Sequence, residues 1–451
     1  MHWIQILSVT LAGLTLLVSG IGAVYSFIEK EKRAATVFLF LMMVLTVFLY
    51  VPILIENKSV LLIWGGIELL ALFAGVVVIF PFKMKQPIFW AKPLKRIDER
   101  TIMFSRNLLQ QGSKRYEDYY QLYPQHLEAD NYFRQFPGLL SEKAKYFNPA
   151  TFCAAEATFS VIEHLRDLSG GIAAQKQVEV EADSLTGFID QWTKKIGAVS
   201  FGVAPLEEYH KYSHVGRGTE YGSEVELDHA YAIAITTEMD KEMMDHAPFG
   251  PTVMESGQQY VDSGVIALQI AQFLRRLGYN ARAHIDGNYR VVCPLVAKDA
   301  GLGEIGRMGL LMTPELGPRV RIAVVTTNAP LKTNSRKDDS TIIDFCLDCK
   351  KCADVCPSNA ISFDDPEEVD GIIRWQINQE ACFTLWTKIG TDCGRCVAVC
   401  PYSHPDNLLH NLVRAGLKKS PLFRNVALKM DDMFYGRKPA AKKEEEWMRV
   451  T

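Results

Sequence analysis

Three long apolar runs follow one another before residue 82, and they constrain this chain more than any other feature. Ile4 to Ile28 and Ala34 to Ile55 carry no charged side chain, and Ser59 to Phe80 carries only Glu68. Each run is about 22 to 25 residues, enough at 1.5 Å per residue to cross a hydrocarbon core of roughly 30 Å. One such run could be a buried core helix or a signal peptide. Three in succession, with no small-residue cleavage pattern after a short apolar core, predict a three-helix transmembrane anchor over residues 1–82.

Lysines and arginines in the flanks predict its orientation. The first connection carries Lys30, Lys32 and Arg33, the second only Lys58, and the stretch after the third run carries Lys83, Lys85, Lys92, Lys95, Arg96 and Arg100. The expectation is a multi-pass protein of the bacterial cytoplasmic (inner) membrane, N-terminus outside and the rest of the chain facing the cytoplasm. Glu68 falls mid-span, where an ionisable group is costly. It is read either as a functional site beside a quinone or a partner helix, or as a helix-facing carboxylate that packs.

The remaining sequence reads as soluble. Residues 83–190 form a basic linker, with Pro87 and Pro93, and a helical region rich in Tyr and Phe. Short apolar runs then suggest strands at Ile196 to Val203, Ala230 to Thr236, Tyr289 to Val296 and Val320 to Thr326. A helix is expected at Tyr260 to Leu277 with Gly278 as its stop. Strands alternating with helices predict an α/β or α+β domain over 191–340. Residues 406–451 read as a helical and charged tail, with Arg437 to Thr451 a solvated terminus. A net charge of −3 over 451 residues gives no global argument for a nucleic-acid partner.

Eight of the ten cysteines lie between Cys346 and Cys400. Cys346, Cys349, Cys352 and Cys356 followed by Pro357 spell C-x2-C-x2-C-x3-C-P, the bacterial ferredoxin pattern. Cys382, Cys393, Cys396 and Cys400 with Pro401 form a second set whose first member has moved upstream. Two 4Fe-4S clusters need eight thiolates, and in this pattern the cysteine before proline crosses to the other cluster. The expected sets are Cys346, Cys349, Cys352 and Cys400 on one cluster, and Cys356, Cys382, Cys393 and Cys396 on the other, in a two-cluster ferredoxin-like domain over 341–405. A zinc ribbon uses paired knuckles and lacks such a run. Cys153 and Cys293 are expected to be buried thiols.

Gly301, Gly303 and Gly306 spell G-x-G-x-x-G. A dinucleotide site is disfavoured, because Pro314 follows closely and no acidic residue stands near 20 residues further on. The glycines are expected to let the backbone approach another flat, bulky ligand. The stretch from Ala300 to Arg321, the upstream GYNARAH at 278–284, Ala329-Pro330-Leu331 and the paired cysteine sets together resemble the cobalamin-dependent reductive dehalogenases over roughly residues 190 to 405. The related epoxyqueuosine reductases are also similar.

The resemblance implies a nitroreductase-like α/β domain binding cobalamin base-off, with Gly301, Gly303 and Gly306 at the cofactor and electrons arriving through the clusters. No D-x-H-x-x-G occurs in the chain, in keeping with a cobalt that has no protein ligand. In that family the proton donor is a tyrosine early in a helix, and the matching position is Tyr260 in SGQQYVDSG. A phenol of reference pKa about 10 needs a nearby cation to act as an acid at neutral pH. Arg319 is the expected partner by spacing, with Arg307 in reserve.

Respiratory members use a twin-arginine export signal and a separate three-helix anchor. No arginine precedes Arg33, so the expectation is an anchor fused to the catalytic portion. The function implied is reduction of an organohalide with electrons from a quinol or membrane donor. A membrane-tethered ferredoxin-like electron-transfer subunit is the alternative, and a transfer-RNA-modifying epoxyqueuosine reductase fits less well.

Overall fold

The computed structural model describes residues 2–80, 93–334 and 340–450. The basic linker at 83–92, with Lys83, Lys85, Pro87 and Lys92, lies outside the described residues. The chain divides into two compact units, Met1–Gln86 with Pro405–Pro439, and Pro87–His404 with Ala440–Thr451.

In the first unit the apolar runs form helices α1 (His2–Ile28), α2 (Lys32–Leu54) and α3 (Lys58–Ile79), each long and apolar enough to cross a membrane. Most of their large apolar side chains point outward, as lipid-facing helices require. Glu68 is buried and accepts hydrogen bonds from Ser8 Oγ at 2.8 and 2.9 Å, so α1 supplies the polar partner that the mid-span carboxylate needs.

Two C-terminal helices, Leu408–Leu417 and Pro421–Phe434, belong to this same unit. Phe434 stacks on Phe38 with ring centres 4.2 Å apart, Arg33 Nε donates to the Met433 carbonyl at 3.1 Å, and His410 Nε2 lies 3.2 Å from Glu29. The sequence reading of 406–451 as one tail is therefore revised. Residues 440–450 return to the second unit, where Lys442 Nζ pairs with Asp245 at 2.8 Å, Asn148 Nδ2 donates to Glu444 at 2.8 Å and Met448 is buried.

The second unit is built on an antiparallel sheet. Its strands are β1 (Ser200–Pro205), β2 (Tyr231–Glu238), β3 (Ala281–His284) and, after the small hairpin β4 (Glu304–Ile305) and β5 (Leu311–Met312), β6 (Val320–Thr327). The order is β1-β2-β6-β3, with Ile233 opposite Val325 and Ile235 opposite Ala323. Successive side chains alternate between faces. Ile233, Ile235, Ala323 and Val325 pack against Ile266, Ile270 and Leu274 of helix α4 (Gly250–Arg276), while Ala232, Ala234 and Val324 pack against Val296 and Ala297 of helix α5 (Cys293–Asp299). Burial on both faces explains why β2 and, after Arg321, β6 read as apolar runs without alternation.

Two expectations change. Tyr289 to Val296 is not a strand: Pro294 starts α5 there, where its missing N–H costs nothing, and the fourth strand is β3. Helix α4 begins ten residues before Tyr260, at Gly250, and it stops at Gly278, whose φ of 89° suits glycine. The whole is a mixed α and β protein behind three apolar helices.

Candidate functional site

The cysteines enter through short helices joined by left-handed turns. Cys346 and Cys349 lie on the helix Thr341–Cys349, Lys350 turns the chain at φ 53°, and Cys352 follows in the next turn of helix. In the second set Cys393 and Gly394 both have positive φ, 60° and 67°. These turns reverse the chain between successive cysteines.

The thiols lie close enough to act on one another. Burial pushes the Cys400 thiol up, reinforced by Cys349, Cys346 and Cys352. Burial also pushes Cys382 up to about 12, reinforced by Cys393 and Cys356, and raises Cys396 beside Cys393, Cys352, Cys382 and Cys356. Cys346 and Cys352 are likewise pushed up to about 12 by burial. Soft thiol donors at this number and spacing are those that iron takes in 4Fe-4S clusters, so the donor set fits iron. Among the described residues no three His, Cys, Asp or Glu side chains converge on a single ion-sized point; a cubane spreads its thiolates over separate corners.

Beside the second set lies a cavity of about 320 Å³, walled by Cys356, Cys382 and Cys393 on one part and by Tyr260, Arg321 and Asp392 on another. Met239, Met244, Met308, Leu310 and Leu311 complete a largely apolar lining. Tyr260, Arg321 and Asp392 also line an adjoining cleft of about 1250 Å³, so they stand where the two spaces meet.

The cation beside Tyr260 is Arg321. Its guanidinium carbon is 4.0 Å from the centre of the Tyr260 ring, and Nη2 donates to Ser256 Oγ at 3.0 Å. Ser256, one helical turn before Tyr260, donates in turn to Asp392. Arg321 Nε and Asp392 Oδ1 are buried without a hydrogen-bond partner, which leaves polar capacity at the cavity wall for a bound group. Burial raises the Tyr260 phenol above its ordinary value, and Arg321 opposes that rise. Burial also raises Asp392, against the pull of Ser256 and Arg321.

Arg319 and Arg307 are not at Tyr260. Arg319 is buried and bonds to Glu238 at 2.6 Å, to the Ser403 carbonyl at 2.9 Å and to the Met239 carbonyl. Arg307 bonds to the carbonyls of Cys346, Ser362 and Asp364 at 3.0, 2.8 and 2.7 Å and lies over Trp375. Both tie the cysteine loops down. Spacing alone could not choose among three arginines within 15 residues, because only the sheet aims one of them at α4. Ser256 had a visible signal, a hydroxyl one turn from Tyr260. Asp392 had only its place before Cys393.

The three glycines do not line the cavity. A Cβ on Gly303 would come within 2.1 Å of the Met312 carbonyl oxygen, and one on Gly306 within 2.8 Å of Met312 Cγ and 3.4 Å of Cys346 Sγ. Gly301 has φ 81°. Gly303 lets the chain pass close to β5 and Gly306 seats the β4–β5 hairpin against Cys346, and the cavity wall comes from Met308, Leu310 and Leu311. Cys293 is buried as expected, whereas Cys153 is exposed and lines the outer cleft.

Residues 345–404 match the family model described as a 4Fe-4S dicluster domain, so this region is a domain for two 4Fe-4S clusters. Taken with the surrounding fold, the chain resembles the reductive dehalogenases. It is 32% identical over 290 residues to the tetrachloroethene reductive dehalogenase of Desulfitobacterium hafniense, covering 54% of this chain and 52% of that protein. It is 34% identical over 209 residues to the tetrachloroethene reductive dehalogenase of Sulfurospirillum multivorans, covering 44% and 41%. The solved catabolic reductive dehalogenase NpRdhA superposes with a TM-score of 0.62 at 22% identity over 79% of this chain and 49% of that one, a likeness of fold. The chain spans about half the length of the curated relatives it matches.

Proposed function

We propose that this protein is a membrane-anchored reductase that removes halide from an organohalide, with two 4Fe-4S clusters feeding a cobalamin. The observation that carries this reading is the single cavity shared by the second cysteine set and the Tyr260–Arg321 pair. The overall change breaks one carbon–halogen bond, forms one carbon–hydrogen bond, consumes two electrons and one proton, and releases halide. A corrinoid held by the walls of the cavity and its adjoining cleft, in the nitroreductase-like layout expected for 191–340, would supply strongly reducing cobalt.

The chain's own groups do the rest. Tyr260 holds its proton at neutral pH, because burial disfavours the phenolate, and presents it where cavity and cleft meet. Arg321 makes the phenolate left after transfer affordable by placing a cation over the ring. Ser256 and Asp392 fix that guanidinium. The apolar methionine and leucine walls keep water from competing as proton source.

The three helices support anchoring in a membrane. The lysine and arginine distribution supports a multi-pass topology in the cytoplasmic membrane with the second unit in the cytoplasm, and a quinol or membrane partner as electron donor. Anaerobic purification with metal analysis is the test. About one cobalt and about eight irons per chain, the content of one corrinoid and two cubanes, is the expected result. Iron without corrinoid would instead leave a membrane-tethered electron-transfer protein.

A further inference from the structure

The wall of the outer cleft carries arginines in two different conditions. Arg166 pairs with Asp286 at 3.1 Å and Glu163 at 3.2 Å, Arg217 with Glu99 at 3.0 Å, and Arg290 with Glu220. Arg282, on β3, forms no ion pair of its own among the described residues; the carboxylate that acts on it, Glu220, is held by Arg290. The one hydrogen bond of Arg282 runs from Nη2 to the amide oxygen of Asn288 at 2.7 Å, and its Nε is buried without a partner. The other carboxylates of the wall, Glu156, Asp167 and Asp392, do not pair with it.

A half-buried guanidinium with unspent N–H groups is costly unless something anionic completes it. Burial, with Arg290 nearby, pulls Arg282 down to about 10, so it stays charged at neutral pH. It lines the same cleft as Tyr260 and Arg321. Guanidinium donors in a fork suit a planar carboxylate or phenolate.

We propose that Arg282 anchors an anionic group on the substrate, so that the organohalides this site takes are halogenated carboxylates or phenolates rather than neutral halocarbons. This rests on the dehalogenase reading above. An anion seated at Arg282 holds the substrate across the cleft while its carbon–halogen bond lies toward Tyr260. The reaction then balances as before, with a bound carboxylate unchanged, two electrons and the Tyr260 proton consumed, and halide leaving.

The test uses the intact holoenzyme, reduced methyl viologen as a one-electron donor taken twice per turnover, and two probes, 3-bromobenzoate and its uncharged methyl ester. The expected result is a kcat/KM for the acid at least about 10-fold above that for the ester, and a 10- to 100-fold rise in KM for the acid alone in Arg282→Gln, on the order of one charged hydrogen bond. Arg282→Lys should recover part of the loss. Quenching of Trp386, which lines the cleft, reports binding without turnover: saturable quenching by the acid that weakens in Arg282→Gln, scored against Trp386→Phe, is expected.

Equal use of acid and ester by the unaltered enzyme would overturn the proposal. So would an Arg282→Gln protein that slows both probes alike, or one that loses cobalt, since the anion would then be the cofactor's phosphate. If neither probe releases bromide, the quenching titration decides whether Arg282 holds an anion, and the cobalt and iron contents decide the dehalogenase reading separately.

Discussion

The guanidinium carbon of Arg321 lies over the Tyr260 ring, 4.0 Å from its centre, although the two residues come from a strand and a helix 61 positions apart. Arg321 stands opposite Thr237 in the β2–β6 register, which aims it at the stretch of α4 carrying Ser256 and Tyr260. Replacing Tyr260 with Phe should lower turnover by about 10²- to 10⁴-fold, the usual worth of a positioned general acid, while iron and cobalt contents stay unchanged. Arg321→Met should also slow turnover at neutral pH, since Tyr260 is then left with burial alone. Undiminished turnover in either variant counts against the proton-donor role.

The cysteine sets make a pairwise prediction. Cys400→Ser should disturb the same cluster signal in electron paramagnetic resonance as Cys349→Ser, because Cys400 sits among Cys349, Cys346 and Cys352. Cys382→Ser should disturb the other signal, together with Cys396→Ser. If Cys400→Ser tracked Cys396→Ser instead, the crossed sets would be wrong.

Gly303 has no room for a side chain, since a Cβ would approach the Met312 carbonyl oxygen to 2.1 Å. Gly303→Ala should destabilise the second unit by about 1–3 kcal/mol, as overpacking does, and loosen the hairpin against the cysteine helix. Gly187, inside the helix Ala182–Lys195, would meet nothing within 4 Å. Gly187→Ala should therefore be neutral or stabilising by up to about 1 kcal/mol. Chemical unfolding of the two variants side by side checks both.

Docking of the C-terminal segment should depend on pH through Asp245. Burial alone would raise its carboxyl, but Lys241 and Lys442 hold it below the ordinary value of 3.8. A carboxylate whose pKa is depressed on folding contributes stability that is complete above its unfolded value near 4 and is lost as pH falls through the lower folded value. Hydrogen exchange of residues 440–450 should rise below about pH 4. Asp245→Asn should give the same rise at pH 7, where the native protein shows none.

Much of the local architecture was legible. Apolar length revealed the three helices, and the period of Val261, Val265, Leu268 and Leu277 revealed the latter part of α4. Its first ten residues were hidden, because Gly250, Pro251 and Gly257 weaken a helical signal that packing restores: Gly257 sits against Thr158 and Phe159 of a neighbouring helix. Strand β3 was missed for a similar reason, since four residues with an arginine and a histidine show no alternation until β6 lies beside them. Residue type alone predicts a buried Cys153, and its exposure follows from the cleft it borders.

Local spacing by itself determined that the chain has three spans of membrane length, eight thiols in a two-cluster pattern and a tyrosine on a helix, since each depends on the distance between neighbours along one chain. Only the tertiary structure decided which arginine meets that tyrosine, what the three glycines touch and where residues 405–450 go. Those outcomes depend on strand register and on the closing of long loops, and side chains two positions apart on one strand, Arg319 and Arg321, were separated only by the different partners waiting for them: Glu238 and Ser403 for the first, Ser256 and Tyr260 for the second.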